Sequence, residues 1–106
     1  MLKLVRVPFS DITFDPEEVG EMLTGCLQRH RKMRFAGAGA TDSTLVVMFE
    51  ETPFRSGSKL VLAPFRSDDP EELCAEISER YEHGFTLRSS FRIQKRSWAL
   101  YEVEGE

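Results

Sequence analysis

Apolar and polar positions follow two periods along this chain, and the order in which they follow one another occurs twice. The runs "KLVRVPF" from Lys3 and "KLVLAPF" from Lys59 read as strands. Beyond each run the apolar positions change to helical spacing. Val19, Leu23, Cys26 and Leu27 make one stripe in the first half, and Leu73, Ile77 and Tyr81 make one in the second. The segments 33–39 with 43–49, and 86–93 with 97–103, then read as two hairpins. Each half is therefore expected to run strand, helix, strand, strand.

The helix starts are the sharpest local signals. Asp15 suits the N-cap, Pro16 the first helical turn, and Glu18 the third position, where it completes a capping box. Phe14 and Val19 suggest a hydrophobic staple across that start. Asp69, Pro70 and Glu72 occupy the same places later in the chain. Helices are expected over 16–30 and 70–83, the first ending near Arg29 to Arg31 and the second stopped by Gly84.

The two halves also correspond residue by residue. Pairing Lys3 with Lys59 matches Leu4 with Leu60, Val5 with Val61, Pro8 with Pro64 and Phe9 with Phe65. A two-residue shortening then brings Asp15 onto Asp69, and the new offset carries Leu23 onto Ile77, Arg34 onto Arg88 and Ser43 onto Ser97. These matches predict an α+β fold of tandem pseudo-two-fold βαββ repeats, approximately 1–51 and 57–106. The expected architecture is ferredoxin-like or a related antiparallel sheet with two helices on one face, although a βαββαβ order leaves the last hairpin strand over. With 106 residues and no Gly/Ser- or Pro-rich linker, the halves are expected to share one core in a single domain.

Strand parity supplies the first functional expectation. Without bulges, Val5, Val7, Met33, Phe35, Leu45, Val47 and Phe49 share one face, and Val61, Ala63, Leu87, Phe91, Ile93, Ala99, Tyr101 and Val103 share the equivalent one. Those faces belong under the helices. The opposite face would be polar if it only met water, yet it carries Leu4, Leu60, Leu62, Val46, Met48, Trp98 and Leu100. An exposed apolar patch of that size marks association or binding, and a homodimer is the expected form. A bulge or an overlying loop is the ordinary alternative. An unidentified protein partner is compatible with the same face.

Charge brings in a second class of function. "RHRKMR" from Arg29 and "RIQKR" from Arg92 fall in comparable parts of the halves, so Arg34, Arg88, Arg92, Lys95 and Arg96 are candidate contacts for single-stranded nucleic acid, with aromatic residues nearby for stacking. The whole chain counts against it, since 18 acidic and 14 basic side chains leave a net charge of −4. Basic residues at a helix C-terminus also have an ordinary role against the helix dipole.

Candidate chemistry is sparse. "FAGAGATDS" from Phe35 has two close glycines, Gly37 and Gly39, but no phosphate-loop lysine, and reads as a turn or bulge rather than the border of a small-molecule pocket. Cys26 and His30 stand four apart on a helix, with no third residue to orient the histidine, and Cys26 fits the apolar stripe. Joined by Cys74 and His83 they make no compact metal motif. Glu17 with Glu21, and Glu50 with Glu51, are explained by caps and solvated faces. Free thiols are the expected state of both cysteines. The sequence thus calls for no cofactor, no metal and no catalytic residue. A small-molecule-binding protein or enzyme ranks below an interaction or regulatory module and below nucleic-acid binding. No apolar run approaches the length of about 18 residues of a membrane span, and the first residues carry no signal-peptide pattern, so a cytoplasmic location is expected.

Overall fold

The computed structural model of the chain describes residues 2–28, 32–53 and 57–104. In chain order the elements are β1 (Leu2–Pro8), α1 (Phe9–Phe14), α2 (Pro16–Gln28), β2 (Met33–Ala40), β3 (Thr44–Glu51), β4 (Lys59–Pro64), α3 (Pro70–Glu82), β5 (Phe85–Ile93) and β6 (Arg96–Val103). The fold is α+β. Its strands form two antiparallel three-stranded sheets, ordered β1-β3-β2 and β4-β6-β5.

Local chemistry accounts for the ends of the long helices. The Glu18 amide donates to Asp15 Oδ1 at 3.1 Å, and the Glu72 amide donates to Asp69 Oδ2 at 3.2 Å, so each aspartate satisfies an N–H that a helix start leaves without a partner. At the far end of α3, Gly84 adopts φ 87°, which glycine alone takes without steric cost, and its amide donates to the Tyr81 carbonyl. The expected end of the first helix at Arg29 to Arg31 lies outside the described residues.

The buried residues join both halves. Val7, Leu45, Val47 and Phe49 from the first sheet, Leu23 and Leu27 from α2, and Leu60 and Leu100 from the second sheet belong to one continuous cluster. Phe9 of α1 stacks on Phe91 of β5 with ring centroids 5.7 Å apart, adding a direct aromatic tie between the halves. On the opposite face of the second sheet, Ala99 and Tyr101 pack with Phe65 beneath Leu73 and Ile77 of α3. The second sheet is consequently covered on both faces and the first on one.

Several expectations are corrected here. A third helix, α1, occupies "FSDITF", a segment too short to be stable by itself and held by burial of Phe9 and Ile12. Phe14 does not staple the start of α2, because its ring points outward and is 87% exposed. The helices α2 and α3 belong to different packed layers and do not share one sheet face. The β2–β3 register shifts between Phe35 and Gly37, and the β5–β6 register shifts between Leu87 and Ser89. The second shift turns Phe91 and Ile93 away from the α3 side and into the larger cluster, since an extra residue reverses side-chain parity.

Candidate interaction face

The outer face of the first sheet is built from three cross-strand rows. Leu2 and Arg34 flank Glu50, Leu4 and Gly37 flank Met48, and Arg6 and Gly39 flank Val46. Leu2 is 62% exposed and Leu4 45%, while Val46 and Met48 are half-buried. The glycines keep the β2 side low. A Cβ on Gly37 would meet only Met48 Cε, at 3.5 Å, and one on Gly39 would meet nothing within 4 Å. The result is a shallow apolar shelf over β3, bordered by Leu2, Leu4 and Arg6 on β1.

Of the seven side chains expected on an open face, Leu4, Val46 and Met48 are the ones that stand there. Leu60, Leu62, Trp98 and Leu100 are buried instead, because α1, α2 and the inner side of the first sheet cover that face of the second sheet. Their expected accessibility is corrected accordingly.

Edges differ in the same way. Beside β4, the Leu60 amide donates to Thr24 Oγ1 at 2.9 Å, and the Thr24 hydroxyl donates in turn to the Gly20 carbonyl at 2.8 Å. A Cβ on Gly20 would come 3.0 Å from the Leu60 carbonyl oxygen, so glycine lets α2 lie against this strand. Sequence reasoning missed this pair. Its available signal was a glycine inside a helical pattern, which costs about 1 kcal/mol against alanine and usually has a packing reason. Among the described residues, the outer edge of β1 has no neighbouring strand. An uncovered edge of this kind offers backbone hydrogen-bonding groups to another chain.

Three of the five candidate nucleic-acid contacts lie beside carboxylates of the same chain. Arg34 Nη2 lies 2.6 Å from Glu50 Oε1, Arg88 Nε lies 2.7 Å from Glu102 Oε1, and Arg92 Nη2 lies 3.8 Å from Asp68 Oδ2. Arg92 Nη2 also donates to the Lys95 carbonyl at 3.1 Å. Lys95 and Arg96 are exposed at the β5–β6 turn. The guanidinium of Arg88 stands 5.9 Å from the Phe35 ring centroid, so this arginine already uses both its charge and its flat face within the chain. Arg29 to Arg31 lie outside the described residues.

The remaining candidate chemistry is dispersed. Cys26 is half-buried against the core and Cys74 is exposed, and both are free thiols. His30 lies outside the described residues. His83 Nδ1 lies 2.8 Å from the Glu79 carbonyl oxygen in a local helix-end contact. Among the described residues, no three His, Cys, Asp or Glu side chains converge as metal ligands.

One polar group is unusual in its burial. Tyr101 is fully buried and its hydroxyl has no hydrogen-bond partner among the described residues. Burial, reinforced by the negative charge of Glu76, raises the phenol above its ordinary value near 10, with Arg80 acting in the opposite direction. Arg80 lies over the Tyr101 and Phe85 rings at 5.6 and 5.2 Å. The geometry is that of a packed interior, with Phe65, Leu73 and Ile77 around the ring.

Comparison with protein-family models, with curated proteins and with solved structures finds no match.

Proposed function

We propose that this chain is a non-enzymatic interaction or regulatory module that self-associates as a homodimer through the outer face of its first sheet. The carrying observation is the contrast between corresponding faces. Leu60 and Leu100 are core residues, whereas their sequence counterparts Leu4 and Val46 line an open face. A similar apolar surface is satisfied inside the chain in one half and meets water in the other.

This reading includes a tandem βαββ repeat, each unit resembling the strand–helix–strand–strand part of a ferredoxin-like βαββαβ fold. Support comes from the shared first–third–second strand order and from register: Leu4 faces Met48, while the corresponding Leu60 faces Glu102. A single domain is supported by the buried cluster common to both halves. The module is assigned to the cytoplasm on its sequence character; among the described residues no helix is long and apolar enough to cross a membrane.

Light scattering on the size-separated protein tests the reading. A dimer at micromolar concentration is expected, and a monomer across the whole concentration range overturns it. Salt-sensitive binding of single-stranded DNA or RNA that is lost on combined substitution of Arg34, Arg88 and Arg92 would instead establish the nucleic-acid reading.

A further inference from the structure

Of the large apolar residues exposed among the described residues, Leu2, Leu4, Phe14 and Met22 fall in two patches of opposite charge, and Tyr81 on α3 belongs to neither. On β1, Leu2, Leu4 and Arg6 point to the open face, while Lys3, also exposed, alternates to the other side of the strand. At the elbow between α1 and α2, a groove of about 310 Å³ is lined by Phe14, Val19 and Met22, with Asp11, Asp15 and Glu18 supplying its charge. Phe14 is 87% exposed and Met22 is 40% exposed. None of the ion pairs among the described residues uses Lys3, Arg6, Asp11 or Glu18. Each patch has the composition that the other requires.

We infer that the occupant of the acidic α1–α2 groove is β1 of a second copy of this chain, with Leu2 and Leu4 packing against Phe14 and Met22 while Arg6, on the same face of the strand, meets the carboxylates of Asp11, Asp15 and Glu18. This deepens the proposed self-association and rests on it, adding the groove as the surface that receives the open sheet. Alternating Leu2 and Leu4 side chains repeat at about 6.8 Å along a strand, a spacing suited to a short groove with two apolar anchors. Oppositely charged rims fix register and exclude the pairing of like patches. In a two-fold dimer the contact occurs twice, since each chain carries both patches.

Complementation distinguishes this pairing from a dimer in which two sheet faces pack on each other. Leu4→Asp removes the basic patch's anchor and Phe14→Ser removes the groove's anchor. Both positions are exposed, and thermal melts verify folding. Sedimentation should show that each variant alone loses association by on the order of tenfold or more. Their equimolar mixture should form a heterodimer, because it retains one intact β1 and one intact groove. The solvated pair Arg6→Glu and Glu18→Arg provides a second test: each should weaken association, and a mixture of the two should recover it. If Phe14→Ser or Glu18→Arg associates as tightly as the native chain, or if neither mixture recovers, the groove pairing is overturned while a sheet-to-sheet dimer survives. If the native chain is itself monomeric, the broader self-association reading fails as well.

Discussion

Leu4 and Leu100 have nearly the same chemistry and opposite consequences. Leu4 projects from an edge strand, whereas Leu100 has no exposed surface and packs in the cluster joining the two halves. Leu4→Asp should change monomer stability by only about 0.5 kcal/mol, while Leu100→Asp should cost ~4 kcal/mol or more, because it places an unpaired charge in an apolar interior. Urea unfolding of the two variants checks the contrast; similar losses would contradict the assigned layers. Tyr101 gives a second residue-scale test. Removing its unpartnered hydroxyl by Tyr101→Phe should stabilise the fold by about 1 kcal/mol near neutral pH. Its raised native pKa also fixes the sign at high pH. The native state holds the proton more tightly than the unfolded chain, so the stability contribution is complete below pH 10 and is lost as pH rises through the native value. The native protein should therefore lose more stability above pH 10 than Tyr101→Phe, a difference measurable by denaturant unfolding at each pH. These two environments were only partly readable from sequence: alternation separates Leu100 from Tyr101, but not which of their faces a distant segment covers.

Among the elements, α2 is the most informative because it serves its own unit and the edge of the next. Its start was legible in "DPEE", where cap, proline and acidic residues act within four positions. Its contact with β4 was not, since Gly20 and Thr24 meet Leu60 only after the chain folds back. Gly20→Ala should cost about 1 to 3 kcal/mol by driving a methyl toward the Leu60 carbonyl. Thr24→Val should cost a similar amount, about 1 to 3 kcal/mol, by leaving the Leu60 amide without its partner. Thermal or denaturant unfolding reads both effects, and a neutral result at each position would remove this account of the α2–β4 seam. The bulge beside Gly37 was legible in its glycines, whereas the short α1 and the bulge in β5 escaped sequence reading for related reasons. Six residues carry too little periodicity to announce a helix held by tertiary burial, and a single extra residue reverses parity without altering composition. The hairpins and the capped helices were legible because their signals are local.

At the scale of the molecule, burial proceeds unequally through the stack. The second sheet has apolar partners on both faces, while the first keeps Leu2, Leu4, Val46 and Met48 on its outer side and a β1 edge with no strand beside it among the described residues. The candidate face was therefore half visible in the sequence: its apolar parity marked the right kind of surface, but burial by the other half withdrew Leu60, Leu62, Trp98 and Leu100. The proposed self-association makes one requirement of the surviving surface, that a second copy cover it and supply the apolar contact already achieved inside the chain. Sedimentation equilibrium of the native protein and Leu4→Asp, over one shared concentration series, measures this requirement directly. The account predicts a native dimer at micromolar concentration and a folded Leu4→Asp monomer at the same concentrations; a native monomer throughout, or an equally tight Leu4→Asp dimer, would contradict it.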